Sequence, residues 1–131
     1  MAKKNYFFLT DAEEKLASII WREAPLTSPE LVALADRELD WRKSTTYTVL
    51  KKLCDKGVFR NKKAKVTVLL TPEEQKARES RHFVEDAFGG SLPGFISAFI
   101  GGGKLTQEQA SELQRFIDEH EDGNEEGKPN G

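Results

Sequence analysis

The chain contains one cysteine, one methionine and two histidines among its 131 residues. Cys54 cannot form an intramolecular disulfide and offers only one thiolate to a metal ion, so we predict neither a metal site nor a cofactor. The sequence has no run of about 18 apolar residues, the length that a transmembrane helix needs. It also has no apolar segment after Lys3 and Lys4 of the kind found in secretory signals. These absences indicate a cytoplasmic protein that does not insert into a membrane.

Catalytic combinations of residues are also missing. A nucleophilic side chain needs a base beside it, whereas His82 lies in a charged helical run and His120 lies near the predicted tail. Gly101–Lys104 resembles part of a phosphate-binding loop, but it follows no predicted strand and lacks the rest of that motif. We interpret it as a hinge between helices. The sequence therefore predicts a protein that is not an enzyme.

Charge is unevenly distributed along the chain, although the formal net charge is only −2. Residues 1–71 carry 14 Lys and Arg against 9 Asp and Glu, a balance of +5, and residues 72–131 carry 6 against 13, a balance of −7. Within residues 41–65, nine basic residues face one acidic residue, Asp55. This segregation is typical of a nucleic-acid-binding half joined to a half with another role. A solvated lysine-rich surface is the alternative.

The helix boundaries are marked by capping sequences. Four Thr-x-x-Glu or Thr-x-x-Gln motifs predict helix starts: Thr10–Glu13, Thr27–Glu30, Thr71–Glu74 and Thr106–Gln109. A third helix is predicted from Arg42 to Lys56, with Asp40 as its N-cap and Gly57 as a left-handed stop. A short apolar helix is predicted at Leu92–Ile100. Residues 121–131 resemble a disordered acidic tail.

After Gly57 the apolar period changes from that of a helix to that of a hairpin. Val58–Arg60 and Val66–Leu70 are rich in β-branched residues and flank a lysine-rich turn. Three helices followed by a two-stranded wing are typical of a winged helix-turn-helix module. We therefore predict a mainly α fold with a small two-stranded β wing: a winged-helix DNA-binding domain at 1–71, a helical dimerisation region at 72–120 and the tail at 121–131.

The third helix has two distinct faces at 100° per residue. One face carries Thr46, Val49, Leu50 and Leu53, which we expect to pack onto the first two helices. Hydroxyls and a lysine on the opposite face suit base edges and phosphates, and cations at the helix start favour phosphate. The predicted DNA-binding residues of the helix and wing are Arg42, Lys43, Thr45, Thr48, Lys51, Lys52, Lys62, Lys63 and Lys65. An ordinary amphipathic helix with a solvated face is the alternative.

Apolar residues are dense in the acidic half. Eleven large apolar side chains fall within the 35 residues from Phe83 to Ile117, in short helices separated by glycines. This density points to burial against a second copy, and packing back onto the wing domain is the alternative. The predicted dimerisation residues are Phe83, Phe88, Leu92, Phe95, Ile96, Phe99, Ile100, Leu113, Phe116 and Ile117, with Leu105 as the eleventh apolar residue.

Several sequence blocks resemble the BlaI/MecI penicillinase-repressor family, which also includes CopY-type copper repressors. They are Leu9–Glu13 with Ile20-Trp21, the spacing from Trp41 to Gly57, Leu70–Pro72, and Leu105–Leu113. The resemblance implies a homodimeric winged-helix transcriptional repressor that binds double-stranded, inverted-repeat operator DNA. Copper repressors of this family end in a cysteine-rich segment, whereas Cys54 is the chain's single cysteine.

The resemblance also suggests how repression is relieved. Relatives linked to β-lactam resistance respond to a membrane sensor protease pathway that ends in cleavage between Asn and Phe within the dimerisation region. The equivalent candidate junction here is Ala98–Phe99, with Ala in place of Asn. Two other functions stay open: a helical protein-interaction adaptor without DNA binding, and a winged-helix repressor released by a small-molecule ligand.

Overall fold

The computed structural model describes residues 6–122, which form two compact units, one ending at Ser91 and one beginning at Leu92. The elements in this part of the chain are α1 (Asp11–Glu23), β1 (Leu26–Thr27), α2 (Ser28–Leu39), α3 (Lys43–Asp55), β2 (Phe59–Lys62), β3 (Lys65–Val68), α4 (Pro72–Phe88), α5 (Leu92–Ile100) and α6 (Gln107–His120). The mainly α winged-helix fold is confirmed. None of these helices is long and apolar enough to span a bilayer.

The core of the first unit lies between α1, α2, α3 and the sheet. Its fully buried large side chains include Leu16 and Ile20 of α1, Leu31 of α2, and Leu50 and Leu53 of α3. All four predicted capping boxes are present, with the Thr hydroxyl accepting from the backbone N–H three residues later. Each box satisfies two backbone donors that the first turn leaves without partners. The helix starts therefore follow from local sequence.

The junction between α2 and α3 differs from the prediction at Asp40. This residue does not cap α3; it ends α2 in the left-handed conformation, with φ of 59°, and its N–H donates to the Asp36 carbonyl at 3.1 Å. Asp tolerates this conformation better than most residues. The N-cap of α3 is Arg42, which makes no side-chain capping bond. Gly57 has φ of 79°, which confirms the predicted left-handed stop after α3.

The sheet has one strand more than the sequence predicted. The two predicted strands pair antiparallel as β2 and β3, with Phe59 opposite Val68. β1 adds to the other edge of β3, with Leu26 opposite Val66, so the strand order is β1-β3-β2. A two-residue strand has no measurable alternation, and its partner lies about 40 residues further along the chain. The sequence pattern therefore could not reveal it.

The wing, β2 and β3 with their connection, has a two-residue turn at Lys63-Ala64. Both residues have positive φ, 53° and 63°, as a type I′ hairpin turn requires. Asn-Gly is the usual sequence at such turns, because left-handed residues with a Cβ are strained. The carbonyl of Ala64 accepts a 2.7 Å hydrogen bond from the Ser28 N–H. This bond joins the wing to the first residue of α2.

The strain at Ala64 predicts a stabilising substitution. Ala64→Gly removes the Cβ from a left-handed position and should raise the free energy of unfolding by about 0.5–1 kcal/mol. Urea denaturation monitored by circular dichroism measures this change. Ala33→Gly, at an exposed position inside α2, is the control and should lower stability by about 1 kcal/mol. An equal loss of stability in Ala64→Gly and Ala33→Gly would contradict the left-handed conformation of Ala64.

The second unit consists of α5 and α6, joined by the glycine-rich segment that includes Gly101 at φ 61°. None of the residues in these two helices is buried. Large apolar side chains are exposed, including Phe99 at 73% and Phe116 at 63%. Apart from Glu121 and Asp122, the predicted acidic tail lies outside the described residues.

Candidate nucleic-acid interface

One face of α3 is buried in the core, as the helical period predicts. Thr46, Val49, Leu50 and Leu53 are its buried residues. The hydroxyl of Thr46 donates to the Arg42 carbonyl at 3.1 Å, so this polar side chain is buried without an unpaired group. The hydroxyl of Tyr47 donates to Ser28 Oγ at 3.3 Å and links α3 to the start of α2. The helix is thus fixed on the unit by its inner face.

The opposite face of α3 is exposed. We call Thr45, Thr48 and Lys52 the recognition face; all three side chains are exposed, as are Arg42 and Lys43 at the start of the helix. Short hydroxyl side chains allow a helix backbone to approach base edges closely, and lysine pairs with phosphate. Because these side chains are exposed, they are accessible for the predicted contact with DNA.

The wing concentrates positive charge. Lys62 and Lys65 are directly opposite one another across the β2–β3 pair, Lys63 lies in the turn between them, and all three are exposed. Like charges at opposed positions destabilise a hairpin. An anionic partner would remove that repulsion, because phosphates neutralise lysine charge. The opposed lysines therefore favour an anionic partner at the wing.

The structure divides the basic residues into paired and unpaired groups. Lys56 is buried, and its Nζ lies 2.6 Å from Glu13 Oε1, so it does not contribute to a basic surface. Lys51 pairs with Asp55 at 3.3 Å on the helix exterior. Within residues 6–122 the cations of this region without an ion pair are Arg42, Lys43, Lys52, Arg60, Lys62, Lys63 and Lys65.

Arg60 is a candidate contact residue that the sequence-based set omitted. It lies on β2 next to buried Phe59, is exposed, and is opposite Thr67 of β3. Strand side chains alternate between faces, so the burial of Phe59 places Arg60 on the outer face. The alternation of the strand was the signal that could have identified it.

The predicted dimerisation residues are divided between the two units. Phe83 and Phe88 lie on α4 in the first unit, with ring centroids 5.9 Å apart. The other eight lie in the second unit, where an apolar groove of about 740 Å³ runs between α5 and α6. Its apolar lining is Phe95, Ile96, Phe99, Ile100, Leu105, Leu113 and Phe116. Both residues of the candidate cleavage junction, Ala98 and Phe99, are exposed on α5.

Metal-ligating side chains are dispersed. Among the described residues, no three His, Cys, Asp or Glu side chains come close enough together to hold a metal ion. Cys54 is half-buried on α3, and burial raises the pKa of its thiol, with a further contribution from neighbouring Asp55. A thiol with a raised pKa is a poor ligand and a poor nucleophile at neutral pH.

Comparison with known proteins identifies the family. The family model described as "Penicillinase repressor" matches residues 9–119, which include every element from α1 to α5 and all of α6 except His120. The chain is similar to a penicillinase repressor of Bacillus licheniformis, at 23% identity over 116 residues that cover 86% of this chain and 91% of the relative. The matched region contains the exposed recognition face, the lysine-rich wing and the apolar helices. The chain therefore belongs to the penicillinase repressor family of DNA-binding transcriptional repressors.

Proposed function

We propose that the protein is a homodimeric repressor in which two α3 helices bind the half-sites of an inverted-repeat operator. The opposed pair Lys62 and Lys65 carries the proposal, because a polyanion would relieve the repulsion between like charges at directly opposed positions of the hairpin. The exposed recognition face of α3 supplies the groups for base contact. Arg42, Lys43, Arg60 and the three wing lysines supply phosphate contacts.

The second unit supports the homodimer. Side chains as large as Phe99 and Phe116 are mostly exposed on α5 and α6, and soluble chains rarely leave so large an apolar surface uncovered. A two-fold symmetric partner covers the same surface on both copies. Two recognition helices in such a dimer bind half-sites about 34 Å apart, one turn of DNA. We therefore assign the groove between α5 and α6 to the dimer interface.

Fluorescence anisotropy across a salt series tests this function. The probes are a duplex selected from random sequence by rounds of binding to the protein, and a scrambled duplex of equal composition. The proposal expects the selected duplex to bind at least about 10³-fold more tightly at physiological salt. Equal, steeply salt-dependent affinity for both duplexes would contradict base recognition. Failure to bind either would favour the protein-interaction adaptor.

The recognition face predicts a loss of discrimination when its hydroxyls are removed. Thr45→Ala or Thr48→Ala should lower the preference for the selected duplex over the scrambled one by about 1–3 kcal/mol, the value of a base contact. Anisotropy titrations with both duplexes measure the ratio. Ser80→Ala, which removes an exposed hydroxyl on α4, is the control and should preserve it. Parental discrimination in both threonine variants would show that a different face meets the bases.

For the wing lysines we predict a change in the salt dependence of DNA affinity rather than in sequence discrimination. Lys63→Ala should weaken binding to every duplex alike and reduce the slope of log affinity against log salt by about one unit. Lys15→Ala, at an exposed lysine on α1 that is not among the predicted DNA-binding residues, provides the control and should preserve the slope. An unchanged slope for Lys63→Ala would exclude this lysine from phosphate contact.

We further propose that a membrane sensor protease pathway relieves repression by cleavage at Ala98–Phe99. Both residues are exposed, and the break would divide α5 and remove part of the apolar groove. A protease can cleave this peptide bond only when the helix unfolds locally. Local unfolding of α5 is favourable for cleavage because the helix is short and has no buried residues. Mass spectrometry after incubation with the cognate activated sensor pathway should show two fragments that meet at this bond. Release from DNA by a diffusible compound with the chain intact would contradict it.

A further inference from the structure

Helix α4 is held on the first unit by polar side chains. Its two buried residues are Gln75 and Glu79, one turn apart on the same face. Helices normally dock through an apolar stripe, which tolerates small rotations. Buried hydrogen bonds are directional, and breaking one leaves a polar group unpaired in a low-dielectric environment. The contacts of this face therefore favour one orientation of the helix.

Apart from contacts within α4, including the Lys76–Glu79 pair at 3.5 Å, the partners of this face lie in the N-terminal segment, residues 6–9. Gln75 Nε2 donates to the Phe7 carbonyl at 2.7 Å and to Glu79 Oε2 at 3.0 Å. The backbone N–H of Leu9 donates to the same Glu79 oxygen at 3.4 Å. The ring of Phe7 also contacts His82 of α4, with centroids 4.6 Å apart. The segment is therefore joined to α4 along more than one helical turn.

Arg78 extends this cluster toward the end of α3. Its Nη2 donates to Gln75 Oε1 at 2.7 Å, and its guanidinium lies 4.4 Å from the centre of the Phe7 ring. Its Nη1 is 3.6 Å from the position that a Cβ on Gly57 would occupy, immediately after α3. Its Nε is buried and has no acceptor within residues 6–122. A cation at this position also interacts favourably with the negative, C-terminal end of the α3 dipole.

The N-terminal segment is also bound to α3 itself. Lys56, the C-cap of α3, donates from Nζ to the Phe8 carbonyl at 3.0 Å and to Glu13 Oε1 at 2.6 Å. Its ammonium lies 5.4 Å from the centre of the Tyr6 ring. The same short segment thus contacts the end of the recognition helix on one side and α4 on the other.

We propose that Gln75, Arg78 and Glu79 are positioning residues for operator recognition. With the N-terminal segment they fix the angle between α4 and the end of α3. The inference rests on the proposed homodimer, and in particular on contacts through Phe83 and Phe88, two predicted dimerisation residues that lie on α4 itself. A fixed angle at this point restricts the distance between the two recognition helices of a dimer and hence the operator spacing that it accepts.

Double electron–electron resonance measures this distance without DNA. In a Cys54→Ala background, Lys52→Cys carries one nitroxide per protomer, so the only distance recorded is between the two α3 helices of the dimer. The parent should give one narrow distribution. Arg78→Ala should broaden or shift it by about 7 Å or more, the rise of two base pairs. Absence of any interprotomer distance in the parent would refute the homodimer, and with it this inference.

A second variant separates positioning from stability. Gln75→Leu/Arg78→Met/Glu79→Leu replaces the two buried polar side chains and the half-buried arginine with apolar ones of similar size, a change that often preserves or increases stability. The thermal midpoint should stay near that of the parent while the distance distribution broadens. Arg81→Ala, an exposed arginine on α4, is the matched control and should leave the distribution unchanged. A narrow parental distribution in the triple variant would overturn the proposal.

Operator spacing provides the functional readout. Unlabelled parent should lose at least about tenfold in affinity when two base pairs, a rotation of about 70°, are inserted between half-sites. The triple variant should show less than about threefold difference between the two duplexes, with an unchanged affinity for a single half-site. A parental spacing preference would refute the positioning role. Equal weakening on every duplex, half-site included, would show that the cluster only supports the fold.

Discussion

Lys56→Met is expected to lower the free energy of unfolding by about 3–5 kcal/mol, the range for removal of one partner from a buried ion pair. Lys56 and Glu13 are both buried, with 2.6 Å between Nζ and Oε1. Loss of the ammonium leaves the Glu13 carboxylate buried, with only the Thr10 N–H as a remaining donor among the described groups. The Phe8 carbonyl loses its partner as well. Urea denaturation monitored by circular dichroism measures the change.

The matched control for this prediction is Lys51→Met on the same helix. Lys51 pairs with Asp55 at 3.3 Å, but both side chains are largely exposed, and such pairs contribute about 0.5 kcal/mol or less. At a temperature where it stays folded, Lys56→Met should bind scrambled DNA as the parent does, because Lys56 is not on the surface. Similar stability losses for both lysine variants would contradict the buried pair.

Phe99→Asp should convert the proposed dimer to a monomer and weaken binding to a full operator by about 10²–10⁴-fold, the gain that linkage of two binding modules confers. The Phe99 side chain is 73% exposed on α5 and lines the groove. A carboxylate there would be buried without a partner at the proposed two-fold interface. Sedimentation equilibrium reports the oligomeric state, and anisotropy reports affinity for full and half operators.

The control for the dimer prediction is Ser97→Asp, which adds the same charge to an exposed position of α5 that does not line the groove. It should remain dimeric and bind the full operator. Affinity of Phe99→Asp for a single half-site should match that of the parent, because the winged-helix unit is unaltered. A Phe99→Asp protein that stays dimeric and binds tightly would exclude this groove as the interface.

The features predicted correctly from sequence depend on neighbours within a few residues. The capping boxes, the stop at Gly57 and the buried face of α3 follow from contacts between residues i and i+3 or i+4, or from one residue's backbone preference. Asp40 shows the limit of this reasoning, because the residue could serve either as the C-cap of α2 or as the N-cap of α3. In the structure Asp40 is the left-handed C-cap of α2, and the N–H groups of Asp40 and Trp41 donate to the Asp36 and Ala35 carbonyls at 3.1 and 3.3 Å.

The candidate site was predicted in part for the same reason. The period of α3 identified Thr45, Thr48 and Lys52 as neighbours on one face, and the structure leaves all three exposed. A count of basic residues, however, could not distinguish surface lysines from Lys56, whose partner Glu13 is 43 residues away. Arg60 was omitted although the alternation of β2 places it outward. The contacts of these residues with DNA stay a prediction.

By itself, the sequence determined the four capped helix starts, the stop at Gly57, the two wing strands, the faces of α3 and the separation of basic from acidic halves, because each depends on local period, capping or composition. Tertiary structure alone decided the third strand, the burial of Lys56 and the polar cluster of Gln75, Arg78 and Glu79. Those features join segments as far apart as Phe7 and Gln75, 68 residues along the chain. From sequence alone, a charged side chain is predicted to be exposed to solvent. Its burial is favourable only when the folded chain places a partner beside it.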